Sequence, residues 1–318
     1  MSRISSRVLL LALLLLAGCT GRGNKTVKTV PARSFPLVSV PEAYTDEADR
    51  LAYAAEHYWD AYFAGEGATD SACVLGVPRK ELEQSLSNYI AVLGMEPLSE
   101  AARHMEGLFR GVSAVQKRDS TSRFFDAFSE LVSSYLYDPN SPMRDEDLYL
   151  PYVRGLAESP YTPDNMRAVY RYQALTCGIN PRGAVAPDIK ARTASGKQFT
   201  LHGIKAPYTL LFFSNPGCSA CREMMETIEN EIAPMFPKGT IAVANIYIDD
   251  DLDAWRQYVG NYPEEWYTGY DYGHEIRDEQ TYNVRAIPSL YLLDSEKRII
   301  YKDAPIEKIL VYLQSLDY

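Results

Sequence analysis

Two cysteines three positions apart, in Asn215-Pro216-Gly217-Cys218-Ser219-Ala220-Cys221, carry the clearest chemistry in this chain. A C-x-x-C pair at the start of a helix holds its sulfurs within one turn, close enough to form a disulfide. The first sulfur also sits beside the N–H groups that a helix start leaves unpaired, and these stabilise a thiolate. In such a place a cysteine pKa falls from about 8.5 to between roughly 3.5 and 7.5, which makes Cys218 the nucleophile of disulfide exchange. Cys221, one turn deeper, is then the thiol that resolves the mixed disulfide. Other uses of the pair ask for residues that are missing. Structural zinc needs a second pair or closely spaced histidines, and His57, His104, His202 and His274 are scattered. Covalent haem needs a histidine at 222, where Arg222 stands. No metal or cofactor is expected beyond the redox-active disulfide Cys218–Cys221 itself. A bridge that only staples the helix stays open as the alternative.

The elements that must position this pair follow from the hydrophobic pattern. Tyr208 to Ser214 holds the apolar run Leu210-Leu211-Phe212-Phe213, suited to the middle of a sheet, and it feeds directly into the cysteines. A helical stretch from Arg222 to Phe236 follows. Phe199 to Leu201, Ile241 to Ile248, Ser289 to Leu293 and Arg298 to Lys302 read as further strands, the last two joined by a turn at Asp294-Ser295-Glu296-Lys297. An amphipathic helix from Pro305 to Leu316 comes last. Strand, helix, strand, helix, strand, strand, helix predicts a central sheet with helices on its faces.

Residues 42–180 read differently, as an all-α bundle. One apolar stripe runs through Leu51, Ala54, Ala55, Tyr58 and Tyr62; a second through Phe124, Phe128, Leu131, Val132 and Tyr135, with Asp119 and Ser120 as N-caps. A third runs from Met166 to Cys177, between Pro163-Asp164 and Gly178. Segments 79–93 and 98–114 are helical as well. Asp138-Pro139-Asn140-Ser141-Pro142 is a turn, after which Asp145 and Glu146 open a helix whose dipole favours negative charge. Arg144 and the nearby tyrosines fix that corner or form a recognition surface. Cys73 and Cys177 either pair as a structural disulfide or stand as independent thiols, one of them buried.

The order of these features from Gly183 to Tyr318 resembles the thioredoxin-like family, most closely its exported, membrane-tethered thiol-disulfide oxidoreductases. Gly183-Ala184-Val185-Ala186-Pro187-Asp188-Ile189 is similar to that branch's entry segment. Tyr282-Asn283-Val284-Arg285-Ala286-Ile287-Pro288-Ser289 is similar to the segment in which a cis-proline lies against the redox pair. The resemblance implies a cis Pro288 and an Ile287 that offers backbone groups to an extended substrate chain, so both are assigned to substrate binding. It implies protein substrates with disulfides or thiols, and an envelope thiol donor. There are departures. Phe212 stands where thioredoxin has a buried aspartate, and Gly217 where an aromatic residue is usual, which leaves Glu223 and Glu226 as weak candidates for moving the Cys221 proton. A copper-delivery relative would show three residues between its cysteines, and a peroxidase of this superfold a threonine at 215, where Asn215 stands. Residues 42–180 resemble an uncharacterised helical domain that precedes thioredoxin-like domains in exported bacterial lipoproteins, a family without known activity.

Arg3 and Arg7 precede ten apolar residues, Val8 to Ala17, too few to span a bilayer, in the pattern of an export signal. The end of this segment, Leu16-Ala17-Gly18-Cys19, resembles the lipobox of bacterial lipoproteins, which implies lipidation of Cys19 and a membrane anchor. Residues 20–41 then read as a basic, solvated tether. Over the whole chain of 318 residues the net charge is −10, which argues against a nucleic-acid partner. Asp249 to Glu279 is the most acidic stretch, with Arg256 and Arg277 as its only basic residues and Trp255, Tyr258, Tyr262, Trp266, Tyr267, Tyr270 and Tyr272 interleaved. It is either a partner-selecting surface or an inserted helix with its aromatics inward.

The expected architecture is therefore α plus α/β: residues 1–19 a lipoprotein signal, 20–41 a tether, 42–180 a helical domain, and 183–318 a thioredoxin-like fold, a central mixed sheet flanked by helices. The expected function is a cell-envelope thiol-disulfide oxidoreductase, reducing by analogy. The alternative is a binding or scaffold lipoprotein.

Overall fold

The computed structural model describes residues 32–316, so the expected signal segment and the lipidation site Cys19 lie outside the described residues. Two halves arise because helical apolar stripes give way near residue 183 to short apolar strand segments alternating with helices. The first half contains α1 (Glu47–His57), α2 (Asp60–Ala64), a hairpin of β1 (Cys73–Val74) and β2 (Val77–Pro78), α3 (Arg79–Leu93), α4 (Leu98–Arg118), α5 (Phe124–Leu136), α6 (Glu146–Glu158) and α7 (Asp164–Cys177). Tyr62, Leu82, Leu86, Phe124, Phe128, Tyr149 and Tyr152 form its core, and Trp59 meets Phe128 edge to face at 5.4 Å. α4 and α6 approach closely at Gly155, where a Cβ would fall on the ring of Phe109.

Several expectations for this half need correction. The first stripe is split into α1 and α2 by Tyr58 and Trp59, and the bundle includes the small hairpin. Asp119 and Ser120 do not cap α5: Asp119 closes α4 and accepts from Thr121, while Arg123 precedes α5. The tether reading of 20–41 fails where its last part is described. Arg33 donates to the carbonyls of Leu75 (3.0 Å) and Tyr62 (2.8 Å), and Phe35 is buried in the helical core.

The second half carries one seven-stranded sheet: β3 (Lys190–Arg192), β4 (Gln198–Thr200), β5 (Tyr208–Phe213), β6 (Ile241–Tyr247), β7 (Tyr267–Asp271), β8 (Ser289–Leu293) and β9 (Ile299–Tyr301), in the spatial order β4-β3-β7-β6-β5-β8-β9. Only the β5–β6 and β6–β7 pairs are parallel. The alternation along β5 sends Leu211 and Phe213 into one face's core and Leu210 and Phe212 into the other's. α8 (Ser219–Thr227), running on as a short π and 3-10 segment to Met235, packs on the latter face with α11 (Ile306–Gln314). The acidic, aromatic stretch is not one inserted helix. It forms α9 (Leu252–Tyr258), the strand β7 and the short α10 (Glu275–Asp278), with Trp255, Tyr262 and Trp266 buried.

A buried set of charges joins the halves. Asp145 caps α6, its carboxylate accepting from the Leu148 N–H at 3.1 Å. The same carboxylate pairs with Lys308 at 2.6 Å and Arg182 at 3.2 Å, and Asp147 takes Arg182 at 3.0 Å. Glu146, 3% exposed, meets Arg285 at 2.7 Å and Lys302 at 2.9 Å. Arg144 donates to the Asp303 carbonyl at 2.9 Å, so it belongs to this junction and not to a free recognition surface. Lys302 also donates to the carbonyls of Cys177 (2.7 Å) and Ile179 (2.6 Å), closing the end of α7.

Burial opposes ionisation of Asp145, but Lys308 and Arg182 overcome it and hold its pKa below the usual aspartate value. A depressed carboxylate contributes stability above its unfolded pKa of about 4 and loses it as pH falls through the folded value. Asp145→Asn keeps the cap, since asparagine caps as well as aspartate, and removes the charge together with the oxygen that accepts from Lys308. The variant should lose roughly 2 kcal/mol at pH 7, less than a fully orphaned buried pair, because Lys308 reaches solvent and Arg182 keeps Asp147. Thermal melts against pH should show this gap closing below about pH 4.

Candidate functional site

The register of the sheet assembles the site. Phe213 at the end of β5 pairs antiparallel with Ser289 at the start of β8. The chain that leaves β5 toward the cysteines therefore departs beside the chain that enters β8 through Ile287 and Pro288. The Ile287–Pro288 peptide is cis, as the resemblance implies. Cys218 is the N-cap of α8, and its Sγ accepts from the Cys221 N–H at 3.1 Å. Cys218 and Cys221 are joined in a disulfide with Cα atoms 5.2 Å apart.

Access to the two sulfurs differs. Cys218 is half-buried, with Gly217, Ser219 and Ala220 exposed around it, while Cys221 is 4% exposed within the core of Phe212, Met224 and Leu290. An incoming sulfur therefore reaches Cys218 first, which is the order an exchange reaction needs. Gly217 has φ +73°, a conformation that side chains other than glycine rarely adopt, which accounts for the missing aromatic residue. Phe212 is wholly buried, so that side of Cys221 is apolar; Glu223 and Glu226 are exposed on α8, on the solvent side of the helix.

The loop before the cysteines is tied to the neighbouring strand end. Asn215 donates to Asp249 at 2.5 Å, Asp249 pairs with Arg277 at 3.3 Å, and Ser214 bonds Asn245 (2.6 Å) and Tyr262 (2.9 Å). The cis-proline segment is held from the helical half: Asn283 donates to Glu146 at 2.8 Å and Arg285 at 2.7 Å. Arg285 also donates to the Tyr137 carbonyl, pairs with Asp303 at 3.3 Å, and stacks over the Tyr137 ring at 4.1 Å. The sequence reading missed Glu146, Asn283 and Arg285. The one available signal was an arginine three residues before Pro288.

A family model described as "Thioredoxin-like" matches residues 207–299. A thioredoxin-like protein from Bacteroides caccae is 32% identical, with a TM-score of 0.72, over 90% of this chain and 99% of its own. The chain belongs to the thioredoxin-like family. Residues 19–176 match a second family, described as a domain of unknown function (DUF5106). The C-terminal domain of an uncharacterised protein from Bacteroides fragilis is 38% identical, over 43% of this chain and 100% of its own, with a TM-score of 0.42. The thioredoxin domain of a thiol-disulfide oxidoreductase from Bacteroides vulgatus is 21% identical, over 42% of this chain and 96% of its own, with a TM-score of 0.38. Among curated proteins, nothing matches the chain.

Cys73 and Cys177 do not pair in this thioredoxin-like protein. Cys73 is half-buried on the hairpin, opposite Pro78. Cys177 is fully buried at the end of α7, where burial pushes its thiol pKa well up and Glu146 adds to the effect. Among the described residues, no cluster of His, Cys, Asp and Glu could hold a metal ion, and no helix is long and apolar enough to cross a membrane. After mild reduction, iodoacetamide at pH 7 should label Cys218 in the folded protein and leave Cys177 unlabelled until denaturant is added. Peptide mass spectrometry checks this, and rapid native labelling of Cys177 would contradict the burial argument.

Proposed function

We propose that this chain is a thiol-disulfide oxidoreductase of the bacterial cell envelope that reduces protein disulfides through Cys218 and Cys221. The observation that carries the reading is the closed Cys218–Cys221 bridge at a helix start, with the reachable sulfur first, beside a cis Ile287–Pro288 peptide. In the cycle, the Cys218 thiolate attacks one sulfur of a substrate disulfide. A Cys218–substrate bond forms as the substrate's other sulfur leaves as a thiolate. Cys221 loses its proton and attacks the Cys218 sulfur, releasing the second substrate thiol and closing the internal disulfide. Two electrons and two protons pass to the substrate, and an envelope thiol donor returns them. Among the described residues, the backbone N–H and C=O of Ile287 have no hydrogen-bond partner, which leaves them for an extended substrate strand.

The export signal and the Leu16-Ala17-Gly18-Cys19 sequence support lipid attachment at Cys19 and a periplasm-facing anchored protein, with palmitate among the expected acyl groups. Cys221→Ser should trap partners on Cys218 as mixed disulfides that dithiothreitol releases. Non-reducing gels of envelope fractions with mass identification test this, and recovery of no Cys218-linked protein would count against the cycle. Cys19→Ser should move the protein from the membrane pellet to the soluble envelope fraction; an unchanged pellet would remove the anchor from the proposal.

A further inference from the structure

The contacts made by one buried carboxylate give the helical half a role in the exchange reaction. Glu146 lies in the first turn of α6, yet its side chain spends its contacts across the domain junction. One oxygen, Oε1, accepts from both Asn283 (2.8 Å) and Arg285 (2.7 Å), residues that lie 137 and 139 positions away in the chain. These two residues bracket Val284 and lead straight into Ile287 and cis-Pro288. Arg285 is fixed on its other sides by the Tyr137 carbonyl, the Tyr137 ring and Asp303. Three of these four anchors, the Glu146 carboxylate and the carbonyl and ring of Tyr137, belong to the helical half.

What lies behind the loop makes these anchors matter. A cavity of about 230 Å³ separates the loop from the end of α7, lined by Tyr137, Tyr172 and Thr176 on one side and by Asn283, Val284 and Arg285 on the other. Close packing therefore does not hold the segment against the helical half. Polar contacts to Glu146 and the contacts of Arg285 with Tyr137 do, and without the Glu146 bonds the loop has room to move. A segment that must present backbone groups to an extended chain tolerates little such movement, since displacements near 1 Å can cost about a hundredfold in rate.

We propose that Glu146 is a positioning residue of the exchange site, holding the Asn283–Pro288 segment in register for a polypeptide substrate, so that the helical half is a working part of the oxidoreductase. This rests on the function proposed above. It also distinguishes two substrate classes. A protein disulfide needs the loop to align its backbone, whereas a small aromatic disulfide needs only the Cys218 sulfur.

The test uses the full chain as wild type, Asn283→Ala and Glu146→Gln. Insulin, with dithiothreitol as donor, is the protein substrate, and 5,5′-dithiobis(2-nitrobenzoate) is the small one. Losing a hydrogen bond to a charged group should raise the insulin KM by roughly three- to tenfold in Asn283→Ala, and by at least as much in Glu146→Gln. The rate with the small disulfide should stay within about twofold of wild type. An insulin KM unchanged in folded Asn283→Ala overturns the proposal, and so does an equal loss with both disulfides, which would mark a general effect on folding. Glu146→Gln also leaves Lys302 buried beside a neutral partner. Where circular dichroism shows it unfolded, Asn283→Ala, which removes no charge from the junction, decides alone. If the wild type exchanges with neither disulfide, the proposed function itself fails and this inference falls with it; an active wild type with unaffected variants removes only the positioning role.

Discussion

A buried group of charges between the two halves is the interaction on which the rest of the structure depends. Asp145, Glu146 and Asp147 enter from the start of α6, and Arg182, Arg285, Lys302 and Lys308 meet them from the thioredoxin-like half. Removing such charges from water is costly, and only complete pairing offsets the cost. Well-packed apolar residues would join two domains at least as stably. What ions add is geometry, because these shared cations and carboxylates are all satisfied together in one arrangement. Here that geometry fixes the relation of the α6 start to the segment that ends at Pro288.

The path from this junction to the reactive sulfurs is short and made of rigid parts. Arg285 sits on the segment that becomes β8, β8 pairs with β5, and β5 delivers the chain to Cys218. Asn215, three residues before Cys218, is tied to Asp249 just past the end of β6, so the cysteine loop and the proline loop are each anchored from outside themselves. The helical half thus has a physical connection to the chemistry, although it contributes no residue to the disulfide. Its own core is complete without the contact, and the linkage is almost wholly polar.

Local features of this arrangement were legible in the sequence. The apolar run of β5, the cysteine spacing and the Ile287-Pro288-Ser289 sequence each announce themselves within a few residues, and the strand expected at Ser289–Leu293 has those bounds. β7 was missed because Tyr267-Thr268-Gly269-Tyr270-Asp271 is short, polar and carries a glycine, and only pairing with β6 and β3 makes it a strand. For Asp145 and Glu146 the sequence offers only a helix dipole that favours their charges, a local reason that is true for Asp145 and incomplete for Glu146. Pairing between positions more than a hundred residues apart leaves no periodic trace in a single sequence. Cys73 and Cys177 invited a disulfide on compartment grounds alone, and their placement in the helical half left both thiols free.

The central claim is that Cys218 and Cys221 form a reversible redox couple, and a titration of residues 20–318 in defined thiol buffers tests it most directly. Alkylation and peptide mass readout at each cysteine separate this couple from Cys73 and Cys177. The account predicts that Cys218 and Cys221 interconvert together at a potential between roughly −270 and −120 mV, with Cys177 unchanged throughout. A pair that stays oxidised below about −300 mV, or never closes, would make the bridge structural and contradict the account.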